Sequence, residues 1–244
     1  MAGRDVATTE QVAFYDEWNE KFRSTDFAHI EPESRARGEK VLAVAARLRL
    51  PTPRILEVGC STGWLAKELA RFGSVVGTDL SPKAIEIARR LVPGVEFSSG
   101  DFCELDFPAA SFGLVVSLET IFYVSDQDRF LRKIVELMQP GAYAILTSVN
   151  AFVYERRSDM ELALQRGQVR QWLTRSELRR LLSRHLEIVS WTTALPKGDR
   201  GLLRMVNSTK VNALLGLFAS EATIRGWKEA LGFGHTHVIL LRKP

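Results

Sequence analysis

Apolar positions along this chain switch between two periods. Residues 54–58, 74–79, 95–97, 113–117 and 142–148 are short apolar runs, the first built on Ile55, Leu56 and Val58. Runs this short predict buried strands rather than helices. The stretches between them repeat at helical spacing. Ala84, Ile85, Ala88 and Leu91 share a face within 82–91, and Phe130, Leu131, Ile134 and Leu137 share one within 126–138. Strands alternating with helices predict right-handed crossovers and a largely parallel sheet. Further along, 186–192 and 235–241 read as two more strands. Thr174 and Glu177 have capping-box spacing ahead of Leu178, Leu181 and Leu182. Helices are expected at 203–218 and 221–231. Before the first strand, 33–48 reads as an amphipathic helix, set apart by Pro51 and Pro53. Residues 11–22 read as a helix bearing Phe14, Trp18 and Phe22 at four-residue spacing, with Tyr15 beside them. Residues 1–10 are expected to be disordered.

The first strand runs into a glycine turn. Glu57-Val58-Gly59-Cys60-Ser61-Thr62-Gly63 follows the apolar run, and a helix begins at Trp64. Gly59 and Gly63 permit positive φ and let a ligand lie against bare backbone. The helix start leaves unpaired N–H groups that favour an anionic group. The next strand ends on Asp79, twenty positions after Gly59. That spacing suits a carboxylate accepting from both ribose hydroxyls. Ser81-Pro82 then supply an N-cap and a first-turn proline. A dinucleotide oxidoreductase would want a third glycine where Trp64 stands. A P-loop would need Gly-Lys-Ser/Thr after Gly63.

These segments resemble the class I S-adenosylmethionine (SAM)-dependent methyltransferases. Ser61 stands where the family's middle glycine often sits. Asp79, Gly100-Asp101-Phe102 and Leu137-Met138-Gln139-Pro140-Gly141 extend the resemblance over about 55–148. It implies an α/β fold: a Rossmann-like, doubly wound, seven-stranded sheet, mostly parallel with an antiparallel last strand, and helical lid insertions. It also implies SAM as cofactor and S-adenosylhomocysteine as product. The cofactor residues it implies are Tyr15, Trp18, Glu57, Gly59, Cys60, Ser61, Gly63, Asp79, Leu80, Asp101, Phe102, Ser117 and Leu118. Residues 1–50 then form an N-terminal helical cap and 51–244 the core, with insertions at about 150–173 and 194–233 as the substrate lid. Long insertions of this kind are usually functional.

Methyl transfer needs alignment more than covalent help, and a base only where the nucleophile must lose a proton. Glu119, Tyr123, His29 and His235 are the candidates for that base, and Glu119, Tyr123 and His29 are taken as the candidate catalytic set. Tyr123 holds a position where relatives often carry histidine. Tyr123, Tyr154, Trp172, Arg204 and Asn207 are the expected substrate contacts. The function expected is transfer of a methyl group to oxygen or nitrogen of a small natural-product or metabolite intermediate. An RNA or protein methyltransferase and a non-catalytic SAM-binding regulator are the alternatives.

Composition narrows this little further. The 244 residues are 45% hydrophobic and 25% charged, ordinary for a globular chain. A net charge of +4 suits an anionic ligand but falls short of a nucleic-acid signature. Two cysteines, Cys60 and Cys103, make no disulfide framework. His235 and His237, without nearby acids or cysteines, make a poor metal site, and no metal is expected. No apolar run reaches the roughly 20 residues of a membrane span. The expectation is a cytoplasmic monomer or homodimer with a small-molecule acceptor and neither a nucleic-acid nor a membrane partner.

Overall fold

The structure is a computed structural model describing residues 2–23, 26–27, 30–159 and 168–244, with side chains of α1 described over 9–21. His29 and the side chain of Phe22 lie outside the described residues.

Seven strands form one sheet in the order β3-β2-β1-β4-β5-β7-β6. The strands are β1 (Arg54–Val58), β2 (Ser74–Asp79), β3 (Glu96–Ser99), β4 (Phe112–Ser117), β5 (Met138–Val149), β6 (Glu187–Pro196) and β7 (Gly234–Arg242). β1 pairs in parallel with both β2 and β4, and β4 with β5. β7 runs antiparallel between β5 and β6. The expected sheet is therefore present, with β7 as the reversed strand.

Consecutive strand residues go to opposite faces. Leu56, Val58 and Val115 pack under α5 (Gln127–Leu137) and α7 (Arg175–Leu182). Ile55, Leu114 and Val116 pack under α2 (Pro32–Leu48), α3 (Trp64–Leu69) and α4 (Pro82–Leu91). Both faces are covered, which is why the strand runs are apolar without alternation. Local caps fix the helix starts. Ser81 Oγ accepts from Ala84 N, Asp126 accepts from Arg129 N, and Thr174 with Glu177 closes a capping box.

Three expectations need correction. The first helix, α1, runs from Ala2 to Arg23 rather than beginning at residue 11. Once 11–19 is docked, each added turn gains a hydrogen bond per residue fixed, so the helix propagates backward. The expected 203–218 helix is two helices, α8 (Gly201–Val206) and α9 (Thr209–Gly216). Ser208 takes an extended ψ of 134° between them, and Asn-Ser-Thr is a helix-start sequence that an apolar count overlooks. β6 also continues past 192 to Pro196, because β7 offers it partners as far as Gly234. The remaining elements, α6 (Ala151–Tyr154) and α10 (Glu221–Ala230), fall where helix was expected.

Candidate active site

The order of strands reverses between β1 and β4, and a cavity of about 640 Å³ opens at the carboxyl ends there. This is the switch point at which open α/β sheets bind ligands. Its floor is the glycine turn. Gly59 and Cys60 both donate their amides to Thr78 O, at 2.8 and 2.9 Å, stitching the turn to β2. Gly59 has φ +79°, and a Cβ there would meet Thr120 Oγ1 at 2.1 Å. Any side chain at Gly59 would push out the loop after β4, whose Thr120 hydroxyl donates to Val58 O at 3.1 Å.

Asp79 holds this floor in place. Its two carboxylate oxygens accept from Ser61 N at 2.8 Å and Ser81 N at 3.0 Å. A carboxylate oxygen can accept more than one hydrogen bond. Ser61 takes φ +48°, a region a glycine would enter without strain. The serine has its own use: its hydroxyl donates to Asn19 Oδ1 at 2.7 Å. Asn19 is buried and donates to Tyr15 O on the turn before it. Asp16 accepts from Ser81 Oγ and from Lys83 N, and Gln11 donates to Tyr123 O at 2.9 Å. Helix α1 is thus bonded to both sides of the cavity and lines it with Gln11, Phe14, Tyr15, Trp18 and Asn19.

Three of the acids lining the cavity stand in different states. Glu57 is buried at the end of β1. Burial, and then Asp79, pushes its carboxyl well above the usual carboxylate range against one backbone hydrogen bond from Ala66. Glu119 has a left-handed backbone, φ +58°, and lies 3.8 Å from Arg37. Burial raises its carboxyl and Arg37 only partly offsets this. Glu33 is different: burial would raise it, but Lys197 and Arg157 hold it below the usual value.

Beyond Glu119 the wall is aromatic. Tyr154 and Trp172 lie with ring centroids 4.2 Å apart, Phe122 and Tyr123 likewise 4.2 Å apart, and Tyr15 meets Tyr123 edge-on at 5.7 Å. Burial, and then Glu119, pushes the Tyr123 phenol up to about 12. His235, from the start of β7, closes this end. Burial, then Arg157 and Arg37, pushes it down to about 3, so it is neutral at physiological pH.

Most of the residues singled out in the sequence meet in this one cavity. Tyr15, Trp18, Glu57, Gly59, Cys60, Ser61, Asp79, Leu80, Asp101, Phe102, Leu118, Glu119, Tyr123, Tyr154 and Trp172 all line it. Gly63 lies behind the wall, starting α3 with φ +83° and donating to Cys60 O. Ser117 is buried at the end of β4, also behind it. Arg204 and Asn207 do not reach the cavity. Asn207 caps α8, donates to Gly198 O and lines a separate polar hollow with Lys197 and Lys228. Arg204 is exposed. β6 ends beside the cavity at Pro196, but Arg204 and Asn207 on the following α8 turn away from it. Sequence reading overlooked Asn19 and Arg37, whereas Arg157 lies in the stretch 150–173 expected to wall the substrate site. Arg37 and Asn19 look like ordinary wet positions on amphipathic helices, and nothing in the local pattern marks them.

Residues 56–146 match the family described as "Methyltransferase domain". Over these residues the chain resembles the SAM-dependent methyltransferases. Among curated relatives, a "Phthiotriol/phenolphthiotriol dimycocerosates methyltransferase" of Mycobacterium leprae is 37% identical over 43% of this chain and 42% of its own length. A "Ubiquinone biosynthesis O-methyltransferase" of Chelativorans is 34% identical over 40% of each chain. The chain thus matches about two-fifths of the length of these relatives. A solved SAM-dependent methyltransferase of Thermotoga maritima, titled a possible histamine N-methyltransferase, covers 96% of this chain and 100% of its own with a TM-score of 0.63 at 22% identity. The likeness to that structure is one of fold.

The residues present suit the domain's cofactor. Glu57 Oε2 is buried with no hydrogen-bond partner among the described residues, which suits a cationic or donor group of the cofactor. The cavity volume of about 640 Å³ lies within the roughly 300–1,000 Å³ of cofactor and ligand sites.

Proposed function

We propose that this chain is a SAM-dependent methyltransferase whose acceptor is an oxygen or nitrogen of a small molecule. The observation that supports it is the continuity of one cavity. Its first half offers the bare turn at Gly59, Glu57, Asp79 and Asp101. Its second half is the chamber of Glu119, Tyr123, Tyr154, Trp172 and His235. Bound SAM supplies an activated methyl group on a sulfonium. The chain's own residues then do the rest. Asp79 receives the ribose hydroxyls and, through Ser61 and Ser81, keeps the floor rigid. Glu57 meets positive charge that stabilises its ionised form. Asp101 and Phe102 take the adenine, and Tyr15 and Trp18 close the cavity from α1.

The Tyr123 phenol, pushed up to about 12, is no base at neutral pH. It orients an acceptor by hydrogen bonding. Neutral His235 accepts from a hydroxyl or amine, and Glu119 is the remaining proton acceptor. Placing the nucleophile in line accounts for up to roughly 7–11 kcal/mol of barrier lowering. The names of the relatives support small-molecule acceptors and include O-methyltransferases. One fold neighbour is titled a [4+2]-cyclase, a reminder that this scaffold does not dictate the reaction. Incubation with methyl-labelled SAM and a metabolite extract tests the reading. Label in the small-molecule fraction is the expected result. Label in RNA or protein, or binding without transfer, would replace it.

A further inference from the structure

Eight of the ten exposed large apolar side chains among the described residues fall within 202–231. Helix α9 has no buried residue at all, although Val211, Ala213, Leu214 and Leu215 make it mostly apolar. An eight-residue helix holds no stability of its own in water, so it implies something to lie against. Val211 and Leu214, three residues apart, share one face of α9, and Leu217, 75% exposed, and Phe218 follow directly after its end. Met205 on α8 is 67% exposed, Phe218 83%, Trp227 on α10 50% and Leu231 69%. A patch this apolar on a monomer marks an interaction surface.

The charges around it select the occupant. Arg200, Arg204, Lys210 and Arg225 are exposed across the same helices. The exposed acids of this stretch are Asp199, held by Ser158, and Glu221, since Glu229 is buried against Lys40 at 2.5 Å, so cations outnumber acids there. A second copy packed face to face would set this cationic rim against itself. An anionic lipid surface complements both features. It receives the apolar faces at the headgroup boundary, takes Trp227 and Phe218 as interfacial anchors, and attracts the cations. No helix among the described residues is long and apolar enough to span a membrane, so the mode is peripheral.

We propose that α8, α9 and α10 dock this chain on anionic lipid surfaces. The segment leaves the sheet where β6 ends at Pro196 and rejoins where β7 begins at Gly234. His235, the next residue, lines the cavity, and Arg157 borders both the cavity and the hollow beneath α8. Docking therefore sets the cavity end of the sheet toward the lipid. This goes beyond the acceptor class proposed above and does not depend on turnover.

The test is co-sedimentation of the full chain with phosphatidylcholine vesicles, with and without phosphatidylglycerol. The wild type is expected to pellet with the anionic vesicles and to be released by salt. The double change Leu217→Ser, Phe218→Ser, and separately Lys210→Glu, Arg225→Glu, should each lower the partition coefficient by about tenfold or more. Circular dichroism of both variants checks that they remain folded. Wild type left in the supernatant, or variants that bind as well as wild type, would overturn the proposal. So would a dimer in velocity sedimentation that Leu217→Ser, Phe218→Ser dissociates, because a second copy would then cover the face.

Discussion

Asp79 does two things at once, and its substitution separates them by degree. The carboxylate accepts from Ser61 N and Ser81 N and is proposed to accept from the ribose. Asp79→Ala removes all of these and should weaken SAM binding by roughly 1.5–3 kcal/mol, the range for hydrogen bonds to a charged group. Titration calorimetry reads it, and unchanged affinity in a folded variant would move the ribose elsewhere. Glu57 is the opposite case, a buried carboxyl that the fold holds at a cost. Its raised carboxyl means the folded state keeps a proton that the unfolded chain has released above about pH 4.3. Stability is therefore lost as pH rises through that window. Glu57→Gln should melt higher than wild type at neutral pH yet bind SAM more weakly, by about 2–5 kcal/mol if a buried charge partner is lost. Differential scanning fluorimetry with and without SAM measures both signs in one experiment. A variant no more stable than wild type would show that Glu57 is already paired.

Elements meet through contacts that single positions decide. Gly38 on α2 faces Trp64, the first residue of α3, and a Cβ there would lie 2.2 Å from Trp64 Cη2 and 2.9 Å from Cζ2. Overpacking of this kind costs about 1–3 kcal/mol, while alanine returns up to about 1 kcal/mol of helix propensity. Gly38→Ala should therefore lose about 1–2 kcal/mol in urea denaturation, and the indole fluorescence should shift because Trp64 also lines the cavity. A neutral result would mean that α2 can lift from α3. This contact marks where reading the chain stops. The turn from Glu57 to Trp64 and the strand end at Asp79 are legible because period, glycine and acid lie within a few residues of one another. Gly38 looks like a weak spot in a helix, and its reason lies 26 positions away. The strap of α1 is illegible for the same cause: Asp16 and Asn19 read as solvent positions until Ser81 and Ser61 come beneath them. The break at Asn207-Ser208 is a different failure, since the cap signal was local and apolar content outweighed it.

At the scale of the whole molecule, the reversed strand β7 gives the fold an acid-sensitive centre. Running antiparallel to β5, it carries His235 into the cavity wall and His237 against Trp191, whose Nε1 donates to His237 Nδ1 at 3.1 Å. Both rings are buried. Burial, then Arg157 and Arg37, pushes His235 down to about 3, and burial, then Arg175, pushes His237 down to about 4. The unfolded chain protonates both near pH 6.5. Below that pH the unfolded state binds more protons than the folded one, so stability falls as pH falls. Glu57 and Glu119, both raised, act in the reverse direction, and the wild-type profile alone would blur the two. The difference between wild type and His235→Gln isolates the histidine. At pH 5 the unfolded-state advantage of one neutral buried histidine is about 2 kcal/mol, from about 1.4 kcal/mol per pH unit over 1.5 units. Relative to wild type, His235→Gln should therefore gain about 2 kcal/mol in urea denaturation between pH 7.5 and pH 5. A difference that stays constant with pH would mean that folding does not depress His235, which would then charge below about pH 6.5. Its use as a neutral acceptor beside Tyr154 would then be confined to higher pH, because an imidazolium has no lone pair to offer an incoming hydroxyl or amine.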